Sequence, residues 1–558
     1  MIKKLVSIQS CLNLTLVVLI FVFFIIPRSS MARTKSGLKF EVSFPSRAHG
    51  KPITGRVYVM ISRNDRREPR FQVGMTGVPI WGKSITALKP GEGAVIDETV
   101  FGYPLENINE IPPGEYYIQG FVNIYTEFKR SDGHTIWLHN DRWEGQRWSR
   151  SPGNLYSEAE KITIDPSSDQ TVKISCKNVI PPIEIPPDTK WIKRIKFKSE
   201  ILTKFWGQPI YLGATVLLPK GYESHPDAYY PVNYIQGHFS LRAPHGFRER
   251  DPGTENRRGR RGFDFYKYWT SDKCPRMIAV TFQHPCPYYD DSYAVNSPNV
   301  GPYGDAIMKE LIPRVEETFR IIRKPYARIL SGGSTGGWIA LALQVFYPDF
   351  FGGTWSLCAD PVDFHYYQIV NIYKDENAYY KEYDWFKIER PNTRATDGNV
   401  RSTMRNENHY ELVIGDKSRS GGQWDIWEAA FSPIGEDGYP KRIWDKLTGE
   451  IDHEVAEEWK KFDLHHYLKE NWERIGPQLV GKLHIYTGSM DTFYLNDAVI
   501  LLEEFLEKTK EPYFAGVVKY GERKPHCWGP RGEELLKLFE EHIAKHAPEG
   551  DDVSKWKY

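Results

Sequence analysis

The sequence predicts a doubly wound, mostly parallel α/β sheet with a large insertion, preceded by an all-β sandwich. From about residue 190 onward, short strand-like runs alternate with stretches of helical periodicity, which is typical of a parallel sheet with helices on both faces. Residues 37–185 instead show short runs rich in β-branched and aromatic residues, broken by Pro and Gly, which favours an antiparallel sandwich. A proline-rich stretch at 180–187 separates the two patterns and predicts a stiff, extended link.

The individual elements follow from the same patterns. In the N-terminal domain (37–185) the clearest strand candidates are Thr54–Ser62, Gly114–Tyr125 and Lys161–Ser175, the last interrupted by a turn at residues 166–169. In the second domain (190–548) they are Ile195–Leu202, Ile210–Leu218, Pro231–Gln236, Met277–Phe282, Arg328–Leu330, Gly353–Leu357, Leu483–Tyr486 and Gly516–Lys519. Helical periodicity is found in Asp305–Phe319, Gly336–Tyr347, Asn496–Glu507 and Gly532–Lys545.

A long gap interrupts this alternation. About 120 residues between Leu357 and Leu483 contain no sheet-like run but hold helical stretches such as Glu454–Trp472 and many aromatic residues. They predict a helical, aromatic-rich cap inserted at residues 361–480, called the insertion below. Its rings either fill a core of their own or form a surface that stacks on sugar rings or a phenolic acyl group; the sequence leaves both open.

Charge and cysteine content exclude several function classes. The 558 residues carry 73 Lys+Arg against 72 Asp+Glu, a formal net charge of +1, which argues against a dedicated nucleic-acid or polyanion binder. Six cysteines are present without CxxC spacing, so neither a disulfide framework nor a metal site is predicted. We expect no metal and no organic cofactor. Aromatic residues make up 14% of the chain, which is more than a core alone needs.

The N-terminus predicts a signal peptide at residues 1–32. Lys3 and Lys4 form a basic start, Leu16–Ile26 is an unbroken apolar run, and Ser30-Met31-Ala32 is a small-x-small cleavage pattern. An uncleaved anchor is the alternative, because Leu12–Ile26 with its flanks approaches the roughly 20 apolar residues of a membrane span. We therefore expect a secreted or periplasmic protein, or in the alternative a membrane-anchored one.

A glycine-rich turn follows the strand candidate Arg328–Leu330. It contains Gly-x-Ser-x-Gly at Gly332, Ser334 and Gly336. When such a turn joins a strand to a helix, its middle residue is held in strained dihedrals with the hydroxyl exposed, and the two glycines prevent collisions. The alternative is a phosphate loop or a simple turn, which the lack of Gly-Lys-Ser/Thr disfavours. Ser334 is therefore the predicted nucleophile.

A serine nucleophile needs a base, and the base needs an acid that orients it. In a doubly wound sheet these residues lie on loops after later strands, in the order Ser, acid, His. Asp491 follows the strand candidate Leu483–Tyr486, and His526 follows the next one. This order predicts a triad of Ser334, His526 and Asp491, with Asp360, which follows an earlier strand, as the rival acid.

The oxyanion of an ester-cleavage intermediate needs two N–H donors. The amide of Thr335, directly after the nucleophile, is one candidate, and the second comes from the loop after the third strand. That loop contains His238 and Phe239, one of which is expected to supply the donor. Trp528 and Asp360 are candidates for substrate contact.

Two stretches carry a resemblance to a known family. They contain Ser199, Leu202, Gly207, Val216–Pro219, Gly221-Tyr222 and Tyr230–Val232, and then Gly304-Asp305, Glu310–Pro313, Val315-Glu316 and Phe319-Arg320. They resemble the opening of the esterase D and enterochelin-esterase-like branch of the α/β hydrolases, and the helix that this family places before its nucleophile strand. The resemblance extends over residues about 195–360 and 480–545, roughly half of the chain.

This resemblance implies an α/β-hydrolase fold for the second domain. Family members include feruloyl and acetylxylan esterases, S-formylglutathione hydrolases, siderophore esterases and mycolyltransferases, and several carry an N-terminal β-sandwich. The chain departs from the family pattern in the Gln-Gly-His-Phe end of the oxyanion strand and in the length of the insertion. The departures bear on the second oxyanion donor and on the substrate.

The predicted function is an exported serine esterase that hydrolyses carboxylic esters through an acyl-enzyme intermediate. Its expected partner is a small-molecule or glycan-linked ester, without nucleic acid, and with a membrane only if the N-terminal segment is an anchor. Two alternatives use the same features: a prolyl-oligopeptidase-like serine peptidase, and a glycan-binding protein with an inactive hydrolase domain. Cleavage of X-Pro amides would favour the first, and glycan binding without turnover would favour the second.

Overall fold

The computed structural model describes residues 37–145, 147–253, 256–288, 292–552, 556 and 558. The predicted signal peptide at 1–32 lies outside these residues. Within the described ranges, each helix is too short or too polar to cross a lipid bilayer. The described chain has mixed α/β content, with smaller N-terminal sheets and an eight-stranded sheet in the second half.

The N-terminal strands pair into two sheets and a hairpin. They are β1 (Lys39–Ser43), β2 (Ile53–Ser62), β3 (Ile80–Leu88), β4 (Ala94–Ile96), β5 (Gly102–Tyr103), β6 (Gly114–Ile124), β7 (Thr126–Lys129), β8 (Thr135–Leu138), β9 (Leu155–Tyr156), β10 (Glu160–Ile164), β11 (Thr171–Ser175) and β12 (Asn178–Val179). One sheet has the order β11-β1-β4, the other β12-β9-β6-β2-β3-β5 with β10 on β6, and β7 pairs with β8. Phe40 and Ile174 from the first sheet share a buried cluster with Val59 and Ile118 from the second.

The remaining strands of the described chain run from β13 to β26, and eight of them form the large sheet. They are β13 (Ile192–Ser199), β14 (Ile210–Leu217), β15 (Val232–Gln236), β16 (Ile278–Gln283), β17 (Asn296–Ser297), β18 (Gly301–Pro302), β19 (Arg328–Gly333), β20 (Gly353–Leu357), β21 (Tyr380–Tyr383), β22 (Phe386–Glu389), β23 (Pro391–Arg394), β24 (Val400–Thr403), β25 (Leu483–Gly488) and β26 (Val517–Gly521). The large sheet has the order β13-β14-β16-β15-β19-β20-β25-β26 and is parallel from β16 to β26. The predicted strands are thus present with shifted ends.

Helices connect these strands. They are α1 (Glu200–Trp206), α2 (Arg257–Trp269), α3 (Tyr303–Ala306), α4 (Ile312–Thr318), α5 (Thr335–Phe346), α6 (Met404–Ile414), α7 (Gln423–Phe431), α8 (His453–Trp459), α9 (Leu464–Leu479), α10 (Asn496–Leu506) and α11 (Glu533–His546). A π-helical segment, Ile307–Leu311, joins α3 to α4, so the predicted helix at Asp305–Phe319 is nearly continuous.

The predicted strand Ile195–Leu202 is wrong at its C-terminal end. The strand stops at Ser199, whose hydroxyl accepts a hydrogen bond from the amide of Leu202 at 3.1 Å and caps α1. A serine at this position satisfies an amide that the first helical turn leaves without a partner. The apolar residues after Ser199 therefore continue as a helix.

The sequence predicted a helical insertion. The structure corrects this prediction, because the insertion also contains two antiparallel hairpins, β21–β22 and β23–β24. The strands of the first hairpin are mostly exposed, and Trp385 in its turn is 89% exposed. Each of these strands has only four residues, the shortest run in which alternation can indicate a strand. Most rings of the insertion lie elsewhere and are buried, among them Trp424, Trp427 and Trp444. Its aromatic content thus mainly fills a core.

A buried lysine lies among carboxylates in the insertion. Lys446 is 1% exposed, and its Nζ lies 3.2 Å from Asp425, 3.5 Å from Glu428 and 3.9 Å from Glu411. Burial, reinforced by the charge of Asp425, raises the pKa of Glu411 and of Glu428 against the opposing effect of Lys446. The lysine thus limits the cost of burying these acids.

Lys446→Met should destabilise the protein by about 3–5 kcal/mol, because it leaves buried carboxylates without their cation. Folding raises the pKa of these carboxyl groups. Such a group destabilises the folded state more and more as the pH rises from its unfolded-state pKa, about 4.3 for Glu, to its folded-state pKa. The loss of melting temperature relative to the wild type should therefore be larger at pH 8 than at pH 5. Lys461→Met, at the exposed pair with Glu458, is the control; equal losses in both variants would contradict this expectation.

Candidate active site

The tight turn between β19 and α5 holds Ser334 in a strained conformation. Its backbone has φ 60° and ψ −128°, which non-glycine residues rarely adopt. A Cβ on Gly332 would lie 2.1 Å from the carbonyl oxygen of Gly336, and one on Gly336 would lie 2.1 Å from the carbonyl oxygen of Gln236. The turn therefore tolerates no side chain at either glycine, and it leaves the Ser334 side chain partly accessible.

His526 and Asp491 form a hydrogen-bonded pair at the ends of neighbouring strands. The Nδ1 atom of His526 lies 2.8 Å from Oδ2 of Asp491, whose side chain is fully buried. The other carboxylate oxygen accepts the amide of Phe493 at 2.9 Å, and the Phe493 ring meets the imidazole edge-on at 5.0 Å. These contacts fix the orientation of both the acid and the imidazole.

The charge of Asp491 determines the protonation of His526. Burial alone lowers the pKa of His526, but the hydrogen bonds with Asp491 and Cys527 and their charges outweigh it, so the pKa lies above the ordinary value of 6.5. A buried carboxylate that stabilises the imidazolium is what a general base needs when it takes a proton from a hydroxyl.

An arginine of the insertion supports the loop of Asp491. The Arg394 Nε donates to the carbonyl oxygen of Asp491 at 2.9 Å, and the Arg394 amide donates to the carbonyl oxygen of Thr492 at 2.9 Å. Its guanidinium also lies 4.2 Å from the centre of the Tyr494 ring. Part of the positioning of the acid thus comes from the insertion, which no sequence motif indicated.

The loop that carries His526 reaches the turn of Ser334. A Cβ on Gly333 would lie 3.5 Å from Sγ of Cys527, the residue after the histidine. The Ser334 hydroxyl itself donates to Oδ1 of Asp360 at 3.5 Å. Among the hydrogen bonds found in the described residues, none joins Ser334 directly to His526.

Asp360 therefore lies beside Ser334, while the hydrogen bond to His526 belongs to Asp491. The Asp360 side chain is 4% exposed and accepts hydrogen bonds from Tyr293 at 2.5 Å and from Thr335 at 3.0 Å. Burial raises the pKa of Asp360, although both bonds and the nearby histidines oppose the rise. Tyr293 is far from every motif in the chain, so sequence reasoning did not single it out.

The other candidates lie around this centre. Thr335 is the first residue of α5, so its amide has no acceptor within the helix. His238 is exposed, and the Phe239 ring packs edge-on against Trp143 of the N-terminal region with centres 5.2 Å apart. The Trp528 indole is half-buried. It packs against Gly521, where an added Cβ would lie 2.4 Å from the ring.

Cysteines also flank the centre. Three atoms lie within 4.8 Å of one another: Sγ of Cys358, a carboxylate oxygen of Asp491 and a ring nitrogen of His526. Burial raises the pKa of Cys358 to about 12, so its thiol is protonated and is a poor metal ligand or nucleophile at neutral pH. None of the five cysteines in the described part of the chain is joined in a disulfide.

A family model and several solved structures match part of the chain. The family model described as "Putative esterase" matches residues 211–515, more than half of the 558-residue chain, whereas no curated protein matches. Similar solved structures include a ferulic acid esterase (15% identity, 63% of this chain and 97% of that one, TM-score 0.35). The fluorophosphonate-binding serine hydrolase FphF from Staphylococcus aureus has 12% identity, and the match covers 63% of this chain and 98% of that one with a TM-score of 0.33. An S-formylglutathione hydrolase from Agrobacterium tumefaciens has 12% identity, and the match covers 65% of this chain and 99% of that one with a TM-score of 0.33. On the extent of the family match, the chain belongs to this esterase family and is a carboxylic ester hydrolase.

Proposed function

We propose that the protein is an exported serine esterase in which Ser334, His526 and Asp491 form the catalytic triad. The observation that carries this proposal is the combination of the strained Ser334 turn with the 2.8 Å hydrogen bond between His526 and a fully buried Asp491. A serine at such a turn and a histidine oriented by a buried acid are the parts that acyl transfer requires.

The first half of the reaction forms the acyl-enzyme. The Ser334 hydroxyl turns from Asp360 toward His526, gives its proton to Nε2, and its oxygen attacks the ester carbonyl carbon. The amide of Thr335 donates to the oxyanion that forms. Collapse of the intermediate breaks the bond to the alcohol oxygen, which takes the proton back from His526. Asp491 keeps the imidazole in the required tautomer and stabilises the imidazolium.

Water completes the cycle by the same steps. His526 removes a proton from a water molecule, whose oxygen attacks the acyl carbon, and the collapse of the second intermediate returns the proton to Ser334. The second oxyanion donor is assigned to the loop of His238 and Phe239. The packing of Phe239 on Trp143 at 5.2 Å supports a fixed position for this loop.

The finer organisation is part of the same proposal. Residues 1–32 are a signal peptide, 37–185 a β-sandwich, 190–548 an α/β-hydrolase domain, and 361–480 its insertion. The cluster of buried side chains shared by the two N-terminal sheets supports the sandwich. The β16–β26 parallel strands with α5 after β19 support the hydrolase domain.

The proposal is tested by the position at which an active-site probe reacts. A fluorophosphonate should label the purified protein, and peptide mapping should locate the adduct on Ser334, because only an activated serine attacks phosphorus at a useful rate. Prior unfolding should abolish the label. An adduct on another residue, or no adduct on a protein that hydrolyses esters, would contradict the assignment.

A further inference from the structure

The two oxygens of Asp360 have unequal surroundings. Oδ2 accepts from the Tyr293 hydroxyl at 2.5 Å, the Thr335 hydroxyl at 3.0 Å and Nε2 of Gln423 at 3.4 Å. Among the described residues, the hydrogen bonds to Oδ1 come only from Ser334, at the long distance of 3.5 Å. One oxygen is thus saturated, and the other faces the nucleophile with acceptor capacity left.

The hydrogen bonds around the Tyr293 hydroxyl hold the carboxyl group in this orientation. Nε1 of Trp427 and Nε2 of Gln423 both donate to the Tyr293 hydroxyl oxygen, at 2.7 and 2.5 Å. The Thr335 hydroxyl, 3.2 Å from the same oxygen, itself donates to Oδ2 of Asp360, and the single Tyr293 proton is directed to Oδ2 at 2.5 Å. Two residues of α7, in the insertion, thus fix which oxygen of Asp360 remains open toward Ser334.

Catalysis removes the one donor that Oδ1 has among the described residues. When the Ser334 proton moves to His526, Oδ1 of Asp360 is left as an acceptor without a partner in a side chain that is 4% exposed. A buried polar atom without a hydrogen bond is costly. A substrate that brings a donor to this position removes that cost.

We propose that Oδ1 of Asp360 recognises a hydrogen-bond donor on the acyl group, so that the preferred substrates are esters of 2-hydroxy or 2-amino acids. The inference rests on the proposed function, since it requires Ser334 to be the nucleophile. The leaving alcohol oxygen must lie against His526, which protonates it, so the group directed to Asp360 belongs to the acyl part. A donor on the carbon next to the carbonyl is one bond from the carbon that Ser334 attacks.

Four matched ethyl esters test the preference on the wild-type protein: propionate, lactate as each enantiomer, 2-methoxypropionate and alaninate. Each kcat/KM is divided by the rate of hydroxide-catalysed hydrolysis, which removes intrinsic reactivity. One lactate enantiomer or the alaninate should exceed propionate by about 10- to 100-fold, whereas the methoxy ester, which has the oxygen but no donor, should gain nothing. The lactate and alaninate results separate a hydroxyl from an ammonium donor.

Asp360→Asn is the matched variant. Its carbonyl oxygen can still accept at the Tyr293 side, and its NH₂ group then faces Ser334, so the donor preference should fall to about 1. Asp264→Asn, an exposed helix position, should retain the preference. The ratio between esters, unlike overall activity, does not respond to a purely structural role. The wild-type comparison decides the question even if the variant does not fold.

Failures of the two proposals are distinguishable. Ser334-dependent turnover of p-nitrophenyl acetate with no donor preference among the ethyl esters, or with an equal preference in Asp360→Asn, would overturn the inference and leave the esterase proposal standing. A lack of Ser334-dependent turnover of every ester would overturn the proposed function itself.

Discussion

Ser334→Ala should lower kcat/KM for p-nitrophenyl acetate by about 10⁴- to 10⁶-fold, because no other group can form the acyl-enzyme. The residual rate would come from substrate binding and the oxyanion donors alone. Initial rates across substrate concentration measure the loss, and labelling by a fluorophosphonate should disappear in parallel. The melting temperature should fall modestly, since Oδ1 of the buried Asp360 loses its long hydrogen bond from Ser334.

Ser331→Ala provides the matched control for this result. Ser331 lies three residues earlier on β19, and its hydroxyl donates to Asn233 at 2.9 Å, away from the turn. The control should keep most of its turnover and its label. Retention of either property in Ser334→Ala would show that another residue is the nucleophile, and a comparable loss in Ser331→Ala would show that the strand, rather than Ser334, limits activity.

Asp491→Asn should lower kcat by about 10⁴-fold, because an amide in place of the carboxylate favours the wrong tautomer of His526. It should also change the pH profile. His526 accepts a proton only when neutral, and its pKa is raised above 6.5, so the acid limb of wild-type kcat/KM should have its midpoint above pH 6.5. Removal of the negative charge lowers the pKa of His526, so the limb should move to lower pH in the variant.

Asp497→Asn separates this effect from a general loss of charge. Asp497 lies six residues later, on α10, and it hydrogen-bonds with Asn496 rather than with the histidine. Its substitution should leave the acid limb and most of kcat in place. An unmoved limb in Asp491→Asn, or equal effects of the two substitutions, would remove Asp491 from the triad.

The residues that sequence could identify are those that obey a local rule. The turn at Ser334 was predictable because the steric demands of a strand-to-helix turn require glycine at two fixed positions. The placement of Asp491 and His526 on neighbouring loops was predictable because parallel strands have their carboxyl ends at one edge of the sheet. In each case the chemistry and the chain geometry lie within a few residues of one another.

The supporting residues obey no such rule. Tyr293 and Gln423 meet Asp360, and Trp427 meets Tyr293, only after segments more than 60 residues apart in the chain have packed together. Arg394 likewise reaches the backbone of Asp491 across 97 positions. Tertiary packing alone creates these contacts, so a single sequence contains no periodicity that indicates them.

The hairpin β7–β8 has a consequence for how the chain folds during synthesis. Phe128, Ile136 and Leu138 are buried in the core of the second half of the chain, where the Phe128 ring meets Trp206 at 5.2 Å between centres. At roughly 5–20 residues per second, the ribosome needs roughly 3–14 s after the hairpin to reach Trp206. The N-terminal region presents these apolar side chains to solvent or to a chaperone throughout that interval, and a fragment that ends at the proline-rich link would expose them permanently.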